Sequence, residues 1–231
     1  MPSSTARKIK FATIADVQER LGHVPESRIL SFPAPGTATV QDLLDSSITK
    51  GRPCELVDGI LVEKSMGWFE GSLGLWIGTL INLYLMENNI GLTSGSDGMV
   101  RFKLDLVRMP DVSFIRWDNV EDTDEIENPA GAFLEMPPDL AVEVLSPSNT
   151  RREMEVKLAE YAKAGVKLVW YVDPERKEVA VYPRGNPKRI KTLGIKGILD
   201  GGDVLPGFSL PVAKIFEKRA PAKKPGKKGK K

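Results

Sequence analysis

The sequence predicts an α/β or α+β domain of three layers, with a central mixed β-sheet and a helix on each face. An apolar strand at residues 139–146 (DLAVEVLS) precedes a helix, and a second apolar strand follows at residues 166–174 (VKLVWYVDP). Strand, helix and strand in this order form a right-handed parallel crossover, which places the helix on one face of the sheet. An earlier apolar helix, at residues 68–87, is available for the other face.

The first half of the domain follows from turn chemistry and helical spacing. Residues 55–64 (ELVDGILVEK) predict a β-hairpin, because Asp58–Gly59 is a favoured two-residue turn and apolar residues flank it. The helix at 68–87 is predicted from apolar residues that recur at helical spacing, namely Leu73, Ile77, Leu80 and Tyr84.

The second helix has clear signals at both ends. Thr150 and Glu153 form a capping-box pattern, and Gly165 is a favourable residue to end the helix. Before the central strand, residues 108–117 (RMPDVSFIRW) predict another strand. Residues 118–138 are acidic and contain prolines, so we expect a loop there.

Composition divides the chain into three parts. Residues 1–50 predict an N-terminal extension, with a short amphipathic helix at 12–22 and an extended arm rich in Pro and Gly at 24–40. Residues 51–217 form the predicted main domain. Residues 218–231 hold eight basic residues and no acidic ones, whereas the remaining chain has 25 basic and 31 acidic residues.

The Lys-rich tail, residues 218–231, is expected to be disordered because it has almost no apolar surface to bury. Two roles are open for it. It can increase solubility, or it can attract the phosphates of a nucleic acid without sequence preference. The second role would tether DNA to a body that is itself mildly acidic.

Several protein classes are disfavoured by composition. With Cys54 alone, no internal disulfide or cysteine-based zinc cluster can form, which favours a reducing cytoplasm. The most apolar stretch, 73–86, is too short to span a bilayer, and no signal-peptide pattern begins the sequence. We therefore expect a cytoplasmic protein without a membrane partner. His23, the single histidine, lies in the extension and is interpreted as incidental.

Two acidic residues stand out because their neighbours are apolar. Glu143 lies inside the central strand, where a carboxylate costs several kcal/mol unless it is paired, protonated or bound to a cation. Asp111 follows Pro110 at the start of an earlier core strand. Two such carboxylates close together repel each other, and a divalent cation removes the repulsion. Oxygen ligands suit Mg²⁺ or Mn²⁺.

These residues resemble a known superfamily. A Pro-Asp pair at the head of one strand and an acid inside the next resemble the PD-(D/E)XK nucleases. The closer resemblance is to the Uma-type family of restriction-endonuclease-like proteins, and it covers roughly residues 54 to 216. The segments that carry it are CELVDGILVEK (54–64), VRMPDVSFI (107–115), PPDLAVEV through EVAVY (137–182) and DVLPGFSLPVAKIF (203–216).

The resemblance implies a restriction-endonuclease-like fold and a metal-dependent phosphodiesterase site. Asp111 and Glu143 would be metal ligands, with the Val144 carbonyl as a third. The superfamily normally has a lysine two residues after the second acid, but this chain has Leu145 there. In the Uma-type family the lysine has moved to the following helix, and the matching residue is Lys157. Its role would be to orient the attacking water and to neutralise charge in the transition state.

Two further acids are candidates by the same resemblance. Family members often carry a histidine on the first helix, whereas this chain has Glu70 near that place. Glu70 is therefore interpreted as a third acid of the catalytic site. Glu55, which opens the hairpin, also stands at a family-like position. The alternative for both is a solvated side chain without a catalytic role.

Each main candidate also has a purely structural interpretation. Asp111 can cap its strand after the proline. Glu143 can form a salt bridge to Lys157 or Arg151 without any metal. Lys157 can form a surface ion pair with Glu153, which lies four residues earlier on the same helix.

Three functions remain open on the sequence. The first, which we favour, is a Mg²⁺- or Mn²⁺-dependent endonuclease that acts on DNA. The second is a catalytically inactive nuclease-like module that binds nucleic acid or a partner protein. The third is a structural or regulatory homodimer, because a fold does not by itself determine function.

Overall fold

The computed structural model describes residues 11–65, 67–127 and 131–217. Its α-helices are α1 Ile14–Leu21, α2 Val40–Leu44, α3 Ser46–Thr49, α4 Trp68–Glu87, α5 Thr123–Glu127, α6 Arg151–Ala164 and α7 Val212–Ile215. Its strands are β1 Cys54–Val57, β2 Ile60–Glu63, β3 Gly91–Ser94, β4 Val100–Lys103, β5 Leu106–Arg108, β6 Val112–Arg116, β7 Leu140–Val144, β8 Leu168–Asp173, β9 Glu178–Pro183, β10 Lys191–Leu193, β11 Ile198–Gly201 and β12 Leu205–Pro211.

A mixed sheet of six strands forms the centre, in the order β10-β9-β8-β7-β6-β3. Strands β7 and β8 are parallel, and their neighbours in the sheet are antiparallel. Helix α4 packs on one face of the sheet and α6 on the other, each through its own cluster of buried apolar side chains. The three-layer prediction is confirmed.

A second sheet has the order β2-β1-β5-β4, and β11 pairs with β12 in a separate hairpin. The predicted hairpin is confirmed as β1 and β2, with Asp58 and Gly59 both at positive φ in the turn. The strand predicted within 108–117 is confirmed as β6, but it begins only at Val112, and Arg108 belongs to β5 of the second sheet. The chain leaves the second sheet after Arg108 and enters the six-stranded sheet at Val112, because Pro110 has no N–H to continue a ladder.

The two long predicted helices are confirmed. Helix α4 covers the expected residues 68–87, although its exposed face is also apolar in part. Helix α6 begins with the capping box of Thr150 and Glu153 and ends at Gly165, which adopts the left-handed conformation. The strong local signals therefore placed both helices that cover the sheet.

The described part of the N-terminal extension packs on the second sheet. Helix α1 is confirmed, and its Val17 and Leu21 lie in a buried cluster with Val57 and Ile60. The expected arm contains a 3-10 turn at Glu26–Arg28 and otherwise has little regular structure. The domain boundary after residue 50 stays a prediction.

The expectation of a plain loop at 118–138 is wrong for Thr123–Glu127, which form α5. Asp122 accepts a hydrogen bond from the backbone N–H of Asp124 at 2.9 Å, and acidic side chains favour a helix start. The Lys-rich tail lies outside the described residues. In the part of the chain that is described, no helix is both long and apolar enough to cross a membrane.

Candidate active site

The two predicted acids are both buried in the centre of the molecule, close enough to interact electrostatically. Strands β6 and β7 are antiparallel neighbours, and Val112 lies opposite Val142. Beyond this pair the backbone N–H of Asp111 bonds to the Val142 carbonyl at 2.9 Å, which places Asp111 next to the last residues of β7. Both residues are buried, at 6% and 4% exposure. Asp111 also contributes to the raised pKa of Glu143, after burial, so the two carboxylates interact electrostatically.

Asp111 has a partner for each carboxylate oxygen. Its Oδ1 lies 2.8 Å from the ammonium nitrogen of Lys64, and its Oδ2 accepts a hydrogen bond from the Val144 N–H at 2.7 Å. The Lys64 ammonium also donates to the Ser96 carbonyl at 3.3 Å. The short link to Val144 fixes Asp111 against the end of β7, so this residue does more than cap its own strand.

Glu143 is held by two side chains from α6. Tyr161 donates its hydroxyl hydrogen to Oε1, and the Lys157 ammonium lies 3.5 Å from Oε2. Burial raises the pKa of Glu143, and the neighbouring Asp111 raises it further, whereas Lys157 opposes both effects. Glu143 is therefore a carboxylate whose charge is only partly compensated by its surroundings.

Lys157 joins Glu143 to a third acid, Glu55 on β1. Its ammonium nitrogen lies 3.2 Å from Oε1 of Glu55. Burial would lower the pKa of Lys157, but Glu143 and Glu55 raise it above its ordinary value, so the side chain is charged. The interpretation of Lys157 as the partner of Glu153 in a surface ion pair is wrong, because Lys157 is buried and Glu153 pairs with Arg28 at 2.8 Å.

Glu55 is the best-compensated acid of this group. Arg108 donates to its Oε2 at 2.8 Å, and the Met109 N–H donates to its Oε1 at 3.0 Å. Burial alone would raise the pKa of Glu55, but Lys157, Arg108 and the Met109 N–H together bring it well below the ordinary range. The alternative interpretation of Glu55 as a solvated side chain is wrong, because Glu55 is buried.

The Glu55 end of the cluster continues to the N-terminal helix. Arg108 also contacts Glu160 on α6, at 2.6 Å from Nη2. Glu160 in turn accepts from Arg20 on α1 at 2.9 Å. We call this whole set of ion pairs the buried charge network; its members are Asp111, Lys64, Glu143, Lys157, Glu55, Arg108, Glu160 and Arg20.

Glu70 lies apart from this network. It occupies the first turn of α4 and lines a surface cavity of about 940 Å³ together with Ser146 and Arg151. Of the two ion-pair partners considered for Glu143, Lys157 is confirmed, whereas Arg151 is wrong, because it pairs with Glu155 at 2.9 Å on the surface of α6. The roles of Glu70 as a catalytic acid and of the Val144 carbonyl as a metal ligand stay predictions.

A separate groove of about 530 Å³ leads to Asp111. Its walls are α4 and the loop that follows β3, and small residues line it, among them Gly71, Gly74, Ser94 and Ser96. The closest approach is at Gly74, where an added Cβ would lie 3.4 Å from the Cβ of Asp111. We call this cavity the Asp111 groove. It gives a ligand a path to one end of the buried charge network.

The donor atoms suit a hard divalent cation. Asp111, Glu143 and the Val144 backbone offer oxygen atoms, without histidine or cysteine nearby. Across the described ranges, no group of three or more His, Cys, Asp or Glu side chains forms a ready metal cluster. Mg²⁺ is commonly bound by one or two carboxylates with waters and substrate phosphates, so a two-carboxylate site fits it.

Three residues that contact the predicted acids directly were missed from the sequence. Tyr161 could have been found, because it lies four residues after Lys157 and therefore on the same face of α6. Arg108 directly precedes the Met-Pro-Asp segment, but nothing local links it to Glu55. Lys64 ends the hairpin, and only the tertiary fold brings its side chain to Asp111.

The central sheet, its two covering helices and the paired strand acids define a protein of restriction-endonuclease-like fold. The chain matches the family model described as "Uma2: Putative restriction endonuclease" over residues 40–213, and it belongs to this family. The predicted Uma-type resemblance is thereby confirmed. Family membership supports a nuclease, and restriction-endonuclease-like families generally use divalent metal ions.

A solved structure shares this fold. The chain is similar to a crystal structure from Anabaena variabilis, described as that of "a putative nuclease", with a TM-score of 0.61 and 19% sequence identity. The similarity covers 71% of this chain and 89% of the other. Among curated proteins, none matches.

Proposed function

We propose that this protein is an endonuclease that hydrolyses the phosphodiester bonds of DNA with the help of Mg²⁺ or Mn²⁺. The observation that carries the proposal is the position of Asp111 and Glu143. They are buried on adjacent strands, and the Asp111 groove opens onto the first of them.

Asp111, Glu143 and the Val144 carbonyl would hold the metal ion. A bound divalent ion would supply an activated water and stabilise charge on the phosphate. Lys157 would favour the ionised form of Glu143 and keep it oriented, since its ammonium lies between Glu143 and Glu55. In this proposal Lys157 acts by placing Glu143, and its enclosed ammonium adds positive charge near the reacting phosphate.

Cleavage of plasmid DNA tests the assignment. Asp111→Asn and Glu143→Gln should each reduce Mg²⁺- or Mn²⁺-dependent cleavage by at least ~100-fold, since each removes a charged ligand while keeping the side-chain shape. Glu155→Gln is the matched control, because Glu155 is an exposed acid on α6 that pairs with Arg151. Cleavage that both strand variants retain would show that the site lies elsewhere.

DNA as the substrate is supported by the Lys-rich tail. Its eight basic residues would neutralise phosphates and hold nucleic acid near a body of opposite charge. Deleting residues 218–231 should weaken DNA binding and make it less dependent on salt. Unchanged affinity and salt dependence would exclude this role of the tail and leave the cleavage site untouched.

One observation favours a second candidate, a module that binds nucleic acid or a partner protein without cutting. Asp111 and Glu143 are already paired with Lys64 and Lys157, and Leu145 occupies the usual place of the lysine. A protein of this kind would bind DNA but show no heat of Mn²⁺ binding in calorimetry. Metal binding that Asp111→Asn abolishes would exclude it.

A further inference from the structure

We infer that Lys64 is an internal cation that occupies the metal's position at Asp111 and must withdraw before a divalent ion can bind. The inference rests on the proposed function and adds a device to it. No role of Lys64 is predicted from the sequence. In this role Lys64 would make metal binding depend on whether a phosphate is present to accept its displaced ammonium.

The contacts of Lys64 support this role. Its ammonium lies 2.8 Å from Oδ1 of Asp111, and its side chain is only 4% exposed. The other oxygen of Asp111 is occupied by the Val144 N–H at 2.7 Å. A metal ion that coordinates Asp111 would therefore share an oxygen with one of these two donors, and on Oδ1 it would lie close to a second positive charge, which repels it. The ammonium is the one that can move, because the amide belongs to the backbone of a central strand.

Charge balance points the same way. Within the described residues, the centre of the network holds three acids and three cations at almost complete burial: Asp111, Glu143 and Glu55 against Lys64, Lys157 and Arg108. A divalent ion added to this neutral set would leave two uncompensated positive charges away from water, which is strongly unfavourable. Withdrawal of one ammonium, or arrival of a phosphate, reduces the excess of positive charge.

The surroundings distinguish Lys64 from Lys157. Lys157 bridges Glu143 and Glu55, and neither of these partners lines the Asp111 groove. Lys64 instead contacts Ser96 and Asp111, and both of these residues line the Asp111 groove. Its ammonium can turn into the groove while it keeps the Ser96 carbonyl as a partner. A DNA phosphate entering the groove would then accept it.

Titration calorimetry with Mn²⁺ on the full chain tests the inference. Lys64→Gln should bind Mn²⁺ at least about tenfold more tightly than the wild type, because the competing charge is gone. Lys64→Arg keeps the charge and should stay within about threefold of the wild type. Asp111→Asn, made in the wild type and in Lys64→Gln, should weaken Mn²⁺ binding in both backgrounds.

A second measurement needs no substitution. A nuclease-resistant phosphorothioate DNA duplex should raise the Mn²⁺ affinity of the wild type at least about fivefold, since its phosphates can accept the displaced ammonium. Lys64→Gln, if it folds, should show a smaller increase. The wild-type comparison alone therefore decides the inference if Lys64→Gln proves unstable.

Three results would overturn the inference, and they differ in what else they exclude. Equal Mn²⁺ affinity in wild type and Lys64→Gln, or no effect of the duplex on the wild type, would show that Lys64 does not compete, while leaving the nuclease assignment intact. Absence of Mn²⁺ binding at Asp111 in every variant would remove both the competition and the proposed metal site.

Discussion

Glu55 and Glu143 are two buried glutamates that share one lysine, yet their pKa values move in opposite directions. Burial would raise both. Glu55 receives Lys157, Arg108 and a backbone N–H, which bring its pKa well below the ordinary range. For Glu143, burial dominates, and Asp111 adds to the rise that Lys157 only partly opposes. The difference lies in the number of donors and in one neighbouring negative charge.

The comparison separates an acid whose charge is well compensated from one whose charge is only partly compensated. Glu55 is fully compensated and links three elements of the core, so adding a metal there would gain little. Glu143 has fewer donors and interacts with the negative charge of Asp111, so its own charge is only partly compensated. Sequence position alone made both residues candidates, but their partners assign them different roles.

The largest effect is expected from removing the cation that distinguishes Glu55. Arg108→Met leaves Glu55 and Glu160 without their guanidinium partner, and breaking a buried pair in this way costs about 3–5 kcal/mol. Urea unfolding measures the loss. Arg151→Met is the control, because its exposed pair with Glu155 should change the free energy of unfolding by less than about 0.5 kcal/mol.

Neutralising the two glutamates in turn should give unequal losses. Glu55→Gln removes a carboxylate whose ionised form is strongly favoured by its surroundings, and it leaves Arg108 without this partner. We therefore expect about 3 kcal/mol of destabilisation. Glu143→Gln removes a charge that its surroundings disfavour, so we expect about 1 kcal/mol or less. Urea unfolding of both variants at neutral pH provides the measurement. Equal losses would contradict the distinction between the two acids.

Removing the hydroxyl group that holds Glu143 should have a moderate effect. Tyr161→Phe takes away a buried donor and leaves an acceptor oxygen without its partner, at a cost of about 1–2 kcal/mol. It should also shift the acid limb of the cleavage rate to higher pH, because the ionised form of Glu143 loses a hydrogen bond. Tyr182→Phe, at a half-buried tyrosine on β9, is the control and should leave that limb in place.

The pH dependence of stability should have opposite signs for the two acids, with slopes of at most about 1.4 kcal/mol per pH unit for one proton. Glu55, with a lowered pKa, contributes stability above its ordinary value of 4.5 that is lost as the pH falls. Glu143, with a raised pKa, contributes stability below 4.5 that is lost as the pH rises through its folded-state value.

Unfolding curves of the glutamine variants between pH 3 and pH 8 separate these contributions. Glu55→Gln should flatten the fall in stability on the acid side relative to the wild type. Glu143→Gln should instead flatten the decline above pH 4.5. If both variants changed the same limb of the curve, the assigned directions would be wrong for one of them.

The sequence predicted those parts of the fold that local chemistry determines. The Asp58–Gly59 turn, the apolar spacing of α4 and the capping box of α6 each depend on residues within a few positions of one another. The break after Arg108 was missed because it depends on which sheet each half of the segment joins. Pro110 was a sign of it, but it was interpreted as the beginning of a strand.

The site was predicted in part for the same reason. Asp111, Glu143 and Lys157 could be proposed because each lies beside recognisable strand or helix signals, and the structure brings them into one network. Their catalytic roles stay a prediction. Lys64 and Arg108 could not be proposed, since their partners lie on other elements far along the chain. Glu70 was placed by resemblance alone, and the structure puts it at a different cavity.

The turn at Gly22 has a consequence for any attempt to shorten the protein. Gly22 has a φ of +71°, and a Cβ there would lie 2.5 Å from the backbone of Arg152. The end of α1 therefore packs directly on the beginning of α6. Lys157 and Tyr161, which hold Glu143, lie about two turns further along α6. A chain that begins at residue 51 would lose this contact between α1 and α6. Glu160 and Glu153 would also lose their partners, Arg20 and Arg28. Removing the residues before position 51 should therefore disturb the helix that holds Glu143, and with it the candidate active site.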